Sequence, residues 1–111
     1  MYRMMTLVLT VFAATLAAQQ GDAGKGRQTY TKVGCWQCHG REAQGGGYVG
    51  PRLAPDPIPY AALEAYLRSP SGDMPPYSKK VLPDADLRDI YAFLKTIPKP
   101  AAAKEIPLLN H

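Results

Sequence analysis

A small all-α domain is what the sequence predicts, and three observations predict it. The chain has 111 residues, and about 93 remain once an apolar leader is set aside, the size of one domain. No alternating run of β-branched residues and no internal repeat occurs. Near the C-terminus Leu87, Ile90, Tyr91, Leu94 and Ile97 recur at helical spacing.

The leader occupies residues 1–18. Arg3 supplies a short basic start, Met4 to Ala18 is apolar, and Ala17 and Ala18 precede the polar Gln19-Gln20-Gly21. The apolar stretch is shorter than the roughly 20 residues that span a bilayer as a helix, so cleavage fits better than anchoring. No twin arginine and no nearby cysteine suggests folded export or lipid modification. The expectation is a Sec-type signal peptide and a periplasmic or otherwise extracytoplasmic protein, without membrane association after cleavage.

The first helix is expected from Asp22, a suitable N-cap, to Val33, with Ala23, Gly26, Tyr30 and Val33 at three- and four-residue spacing. A glycine inside a helix costs about 1 kcal/mol against alanine, so Gly26 points to close packing on the face it shares with Tyr30.

Cys35-Trp36-Gln37-Cys38-His39 follows directly. It holds both cysteines and one of the two histidines of the chain, in the order that attaches a c-type haem. The spacing suits the chemistry: the two thiols can add to the two vinyl groups of one porphyrin, and the adjacent imidazole can reach the iron. A thioredoxin-like pair would need a βαβ unit, which is not visible. Zinc would need four ligands, and only His111 remains after these three. A disulfide closing so short a loop is geometrically tight and gains little entropy. One haem c, covalent through Cys35 and Cys38 with His39 as axial ligand, is the reading that uses all three. Trp36 is read as packing against the cofactor.

From Gly40 to Pro59 the chain carries Gly45-Gly46-Gly47, Gly50-Pro51, Pro55, Pro57 and Pro59, too many breakers for a regular element. A loop wrapped on the haem is expected there. Between Tyr60 and Arg68, Leu63, Tyr66 and Leu67 mark a short helix, with Pro59 at its start and Ser69-Pro70 at its end. The last helix has Asp84 and Asp86 at its positive end and is closed by Pro98. Residues 19–98 therefore form the haem domain, and 99–111 a Pro/Ala-rich tail without sustained period.

Removal of the leader would leave Met74 as the sole thioether. Gly72 before it and Pro75-Pro76 after it restrict a loop that could present the sulfur to iron. A core-filling methionine is the other reading of the composition. A haem propionate needs charge-assisted or hydroxyl hydrogen bonds, for which Arg68 and Tyr77, and then Arg52 and Tyr48, are candidates. His111 is a weaker axial alternative, placed at the end of a Pro-interrupted tail.

Charge adds little. The chain has 13 basic and 9 acidic side chains, net +4. That balance suits encounter with an acidic protein, with Lys79 and Lys80 as a docking pair, and does not indicate nucleic acid.

Taken in order, Gly26-x-x-x-Tyr30, Cys35-Trp36-Gln37-Cys38-His39-Gly40, Gly50-Pro51-Arg52-Leu53, Met74-Pro75-Pro76-Tyr77 and Asp89-Ile90-Tyr91-Ala92-Phe93-Leu94 resemble the class I c-type cytochromes, a family of small haem electron carriers and haem subunits. The resemblance runs from Gly26 to Ile97. It implies a cytochrome c-like fold of about three to four helices around one covalent haem, with the terminal helices crossing at Gly26 and Tyr30 meeting Tyr91 or Leu94. It also implies that the Pro51 carbonyl accepts the His39 ring N–H and that Met74 is the sixth ligand. Leu82-Pro83 departs from the serine or threonine common before the family's last helix.

His/Met ligation raises the reduction potential and leaves no open position, which suits electron transfer over catalysis. The function so implied is a carrier cycling Fe(II)/Fe(III) between a dehydrogenase-type donor and a cytochrome or oxidase acceptor, and not itself an enzyme. The nearest alternative is the haem subunit of a dehydrogenase complex. A peroxidase or gas sensor with a displaceable Met74 is more remote, since no histidine lies near Met74 to assist such chemistry.

A chain of this size with a long irregular loop buries little apolar area alone. Haem-free protein is therefore expected to lack a cooperative, native-like melt in calorimetry.

Overall fold

The computed structural model describes residues 20–46 and 49–110. The leader expected over 1–18, Tyr48 and His111 lie outside the described residues. Within the described residues four α-helices are delimited, α1 (Ala23–Lys32), α2 (Trp36–His39), α3 (Tyr60–Arg68) and α4 (Asp84–Thr96), followed by two 3₁₀ turns at Ala103–Glu105 and Pro107–Leu109. Among the described residues there is no strand, only an isolated bridge between Gly46 and Gly50. No described helix is long and apolar enough to cross a membrane.

Helix α1 begins where its cap chemistry places it: the Asp22 carboxylate accepts from the Lys25 N–H at 2.9 Å. Its packing against α4 depends on Gly26. A Cβ at that position would overlap the Asp89 carbonyl and crowd the Ile90 nitrogen, so the two backbones touch where a side chain would separate them. The Asp22 N–H also donates to Asp89 Oδ1 at 2.6 Å, pinning the start of α1 to the middle of α4.

The core gathers Tyr30 from α1, Leu63 and Leu67 from α3, and Leu87, Ile90, Phe93 and Leu94 from α4. Tyr30 shares the buried core with Leu94, and its aromatic partner is not Tyr91. Its ring meets Phe93 edge-on, with centroids 5.4 Å apart at 62°, while Tyr91 pairs with Tyr60 at 5.5 Å and 72°. Two positions along a helix amount to about 200° around its axis, so Phe93 and Tyr91 serve opposite flanks of α4.

The segment between α2 and α3 is irregular, as its breakers predict, yet it contributes to the core itself. Ala43 is fully buried, and its carbonyl accepts from the Leu53 and Ala54 N–H groups at 2.9 and 3.1 Å. Ala54 is buried beside it. The loop is thus folded on its own backbone as well as available to a cofactor.

Helix α4 starts at Pro83 without a side-chain cap, and Asp84 and Asp86 occupy its positive end. It ends at Thr96, with Ile97 as C-cap before Pro98. Beyond it the two 3₁₀ turns bury no residue, and an exposed Lys99–Asp56 pair at 3.4 Å touches the central loop.

Gly26→Ala should separate α1 from α4. The expected loss is about 1–3 kcal/mol of stability, as for an overpacked core site, read by denaturant unfolding of the haem-loaded protein.

Candidate functional site

The turn Val33–Cys35 delivers the chain from α1 into α2. Cys35 precedes α2 in helical conformation, and its carbonyl accepts from Cys38 N–H at 3.3 Å and His39 N–H at 3.0 Å. Residues three and four apart on a helix are neighbours, so Cys35, Cys38 and His39 share one side of a single turn. Both cysteines are free thiols. Cys35 is half-buried, and burial, with a smaller contribution from nearby Cys38, pushes its thiol up to about 11.

His39 is buried, only 7% exposed, and its Nδ1 lies 2.7 Å from the Pro51 carbonyl oxygen. A carbonyl can only accept, so Nδ1 carries the hydrogen and the neutral ring keeps its lone pair on Nε2. That is the tautomer a metal ligand needs. Gly50 makes the approach possible: a Cβ there would lie 2.6 Å from the Cys38 carbonyl oxygen and 3.0 Å from Nδ1. The far end of the turn is held by Tyr30, whose hydroxyl donates to the Gly40 carbonyl at 2.7 Å, and by Gly45 N–H on the His39 carbonyl at 2.8 Å. Burial foremost raises the Tyr30 phenol above its ordinary range, keeping it a donor.

The loop between α3 and α4 carries Met74. From Ser71 to Val81 only Met74 and Tyr77 are sheltered from solvent, and both pack on the core. Tyr77 is fixed at three points. Its N–H donates to the Leu67 carbonyl, its carbonyl accepts from Arg68 Nη1, and its hydroxyl donates to the Val33 carbonyl, each at 2.9 Å. Arg68 Nη1 also reaches the Leu82 carbonyl at 2.8 Å, and Nη2 reaches Asp84 Oδ1 at 2.8 Å.

The two propionate candidates from the sequence are therefore engaged by the protein. The Tyr77 hydroxyl is spent on Val33, and three of the five Arg68 N–H groups are spent on Tyr77, Leu82 and Asp84, leaving one on Nη2 and a buried Nε without an acceptor among the described residues. Arg52 is exposed, and Tyr48 and His111 lie outside the described residues. Trp36 packs against the core under the Arg41 guanidinium, 5.2 Å from its ring centroid. Lys79 pairs with Asp84 Oδ2 at 3.0 Å, whereas Lys80 is simply exposed.

Sequence reasoning did not identify the roles of Tyr30 on Gly40, Ala43 as a double acceptor, or Asp84 between Arg68 and Lys79. No spacing rule joins residues that meet only through tertiary packing.

The donor set fits a haem c. Two unpaired thiols lie on one turn with an imidazole whose Nδ1 is already committed, and a thioether is held on a hydrogen-bonded loop. The first two suit thioether tethers to vinyl groups, and an imidazole with a thioether is the donor pair that suits a high-potential haem.

Comparison with known proteins agrees. The family described as "Cytochrome C oxidase, cbb3-type, subunit III" matches residues 21–94. The chain is also similar to the 4-cresol dehydrogenase [hydroxylating] cytochrome c subunit of Pseudomonas putida, 31% identical over 103 residues that cover 89% of this chain and 87% of the relative. No solved structure matches. The chain belongs to the class I c-type cytochromes.

Hydrogen bonding from Lys79, then from Arg68, holds the Asp84 carboxyl below its ordinary value of 3.8. A depressed carboxyl contributes stability that is complete above that ordinary value and is lost as pH falls through the folded one. Asp84→Asn should therefore melt below the parent protein at about pH 6, and the gap should narrow as pH falls below 3.8 in thermal scans of the haem-loaded form.

Proposed function

We propose that this c-type cytochrome is a monohaem electron-transfer protein that receives electrons from a dehydrogenase, as the subunit of a complex with it, and passes them to a cytochrome or oxidase. The observation that carries the reading is the hydrogen bond from His39 Nδ1 to Pro51 within the Cys-x-x-Cys-His turn. It commits Nδ1 and leaves Nε2 as the ligand atom. The complex-subunit form, in preference to a free carrier, is supported by the relative, whose name makes it a cytochrome c subunit of a dehydrogenase and whose length this chain nearly matches.

Haem c, when bound, supplies a one-electron Fe(II)/Fe(III) couple. The chain's residues do the rest. Cys35 and Cys38 tether the porphyrin through thioether bonds, so the cofactor stays with the protein between partners. His39 offers Nε2 to the iron, and Pro51 keeps its ring from rotating or changing tautomer. Met74 would offer its sulfur to the iron from a loop whose Tyr77 is held from three sides. With a nitrogen and a soft sulfur so offered, the protein would fill the iron's remaining ligand positions itself. No site is then left for oxygen or peroxide, and substrate chemistry belongs to the dehydrogenase.

Residues 19–98 are assigned to the haem domain and 1–18 to a cleaved signal peptide that directs export. The basic start and the short apolar stretch support periplasmic placement, where thiols and haem are joined after translocation.

The ferric exported protein should show low-spin iron with the weak far-red charge-transfer band of methionine sulfur, and Met74→Ala should abolish that band. High-spin iron in the parent protein would remove Met74 from the axial role and open the site to ligand chemistry. Expressed in its native host, the cytochrome should copurify with a larger dehydrogenase subunit through a salt wash. Elution alone would make it a free carrier.

A further inference from the structure

The Arg68 guanidinium sits at the mouth of the loop that carries Met74, and its position explains how that loop is closed. The side chain is 17% exposed and leaves the C-terminal turn of α3. One nitrogen, Nη1, donates to the carbonyls of Tyr77 and Leu82, and the other, Nη2, donates to Asp84 in the first turn of α4. These acceptors lie three, eight and ten residues beyond Met74. A single planar fork thus joins the end of α3, the descending half of the loop and the start of α4.

The remaining slack in the ligand segment is small. Tyr77 N–H returns to Leu67, the residue next to Arg68, so the loop is pinched shut at its base by backbone and side chain together. Between the pinch and the sulfur stand only Pro75 and Pro76, whose fixed φ passes the constraint on to Met74. The Tyr77 hydroxyl on Val33 then refers the whole loop to the turn that precedes Cys35.

We infer that Arg68 is the positioning residue for the axial methionine: its fork clamps Tyr77, Leu82 and Asp84 and so sets how readily the Met74 sulfur leaves the iron. This rests on the assignment of Met74 as axial ligand. Hydrogen bonds from a charged donor are about twice as strong as neutral ones. Lysine keeps the charge but replaces the fork by a single ammonium that cannot reproduce its planar geometry.

The test is the rate at which saturating imidazole displaces the methionine band in the ferric, haem-loaded protein. Arg68→Lys should raise that rate about tenfold or more, the effect of losing one charge-assisted bond. Ile90→Val, a trimmed core residue of α4 that takes no part in the Arg68 bonds, is the comparison for general loosening and should leave the rate unchanged while lowering the melting temperature. An Arg68→Lys rate equal to the parent's, or an equal acceleration in Ile90→Val, would overturn the inference. Should Arg68→Lys fail to fold, Asp84→Asn removes the charge from one of the three acceptors and should raise the rate about threefold; no rise would overturn it. Absence of the methionine band from the parent protein would be a separate result, removing the ligand assignment and the clamp with it.

Discussion

The backbone contact between Gly26 and Asp89 is the constraint from which the rest of the molecule follows. A helix of ten residues and one of thirteen would be marginal alone in water, and each is held mainly by the other. Because the glycine lets them touch, Tyr30, one turn further along α1, is driven edge-on against Phe93 and its hydroxyl arrives at the Gly40 carbonyl. Gly40 directly follows His39. A single missing side chain in α1 thus fixes, through one aromatic ring, the end of the turn that presents the imidazole.

Two further links make the histidine side of the site local and rigid. Pro51 is only twelve residues beyond His39, and Gly50 lets the intervening loop press against the ring and the Cys38 carbonyl. Ala43 gathers the same loop by accepting from both Leu53 and Ala54. In the folded chain the polypeptide itself orients the imidazole and fixes its tautomer, leaving Nε2 as the ligand atom.

What the sequence disclosed and what it hid divide along the range of the interactions. The Cys-x-x-Cys-His turn is legible because its three functional groups act through adjacent residues, and α1, α3 and α4 are legible because apolar spacing and prolines are local signals. Gly26 is legible in part: a glycine in a helix signals close approach, though not that Asp89 would be the neighbour. Phe93 in place of Tyr91 escaped because every third or fourth residue of α4 is apolar, leaving its azimuth ambiguous until α1 and α3 compete for its two flanks. In the sequence Arg68 is one propionate candidate among several, because a guanidinium can make charge-assisted hydrogen bonds. Its carbonyl acceptors carry no side-chain signature, and backbone oxygens exist at every position, so only the folded chain distinguishes Tyr77 and Leu82.

The two proposed ligands differ in the kind of restraint that holds them. His39 is bonded through its own ring to Pro51, in the turn that carries both cysteines, so displacing it would require breaking a bond at the ligand itself. Met74 makes no such bond: its thioether is a weak acceptor, and its place is set by Tyr77, Arg68 and two prolines around it. Restraint at one remove leaves the sulfur free to adjust by small amounts while the loop stays shut. A soft ligand held by a stiff frame tolerates both oxidation states of iron, whereas a stiff bond on both sides would prefer one. Electron transfer needs a site that changes little on gaining or losing an electron, and in the proposed haem site the bonded histidine would be the fixed point and the soft sulfur, on its closed loop, the more compliant partner.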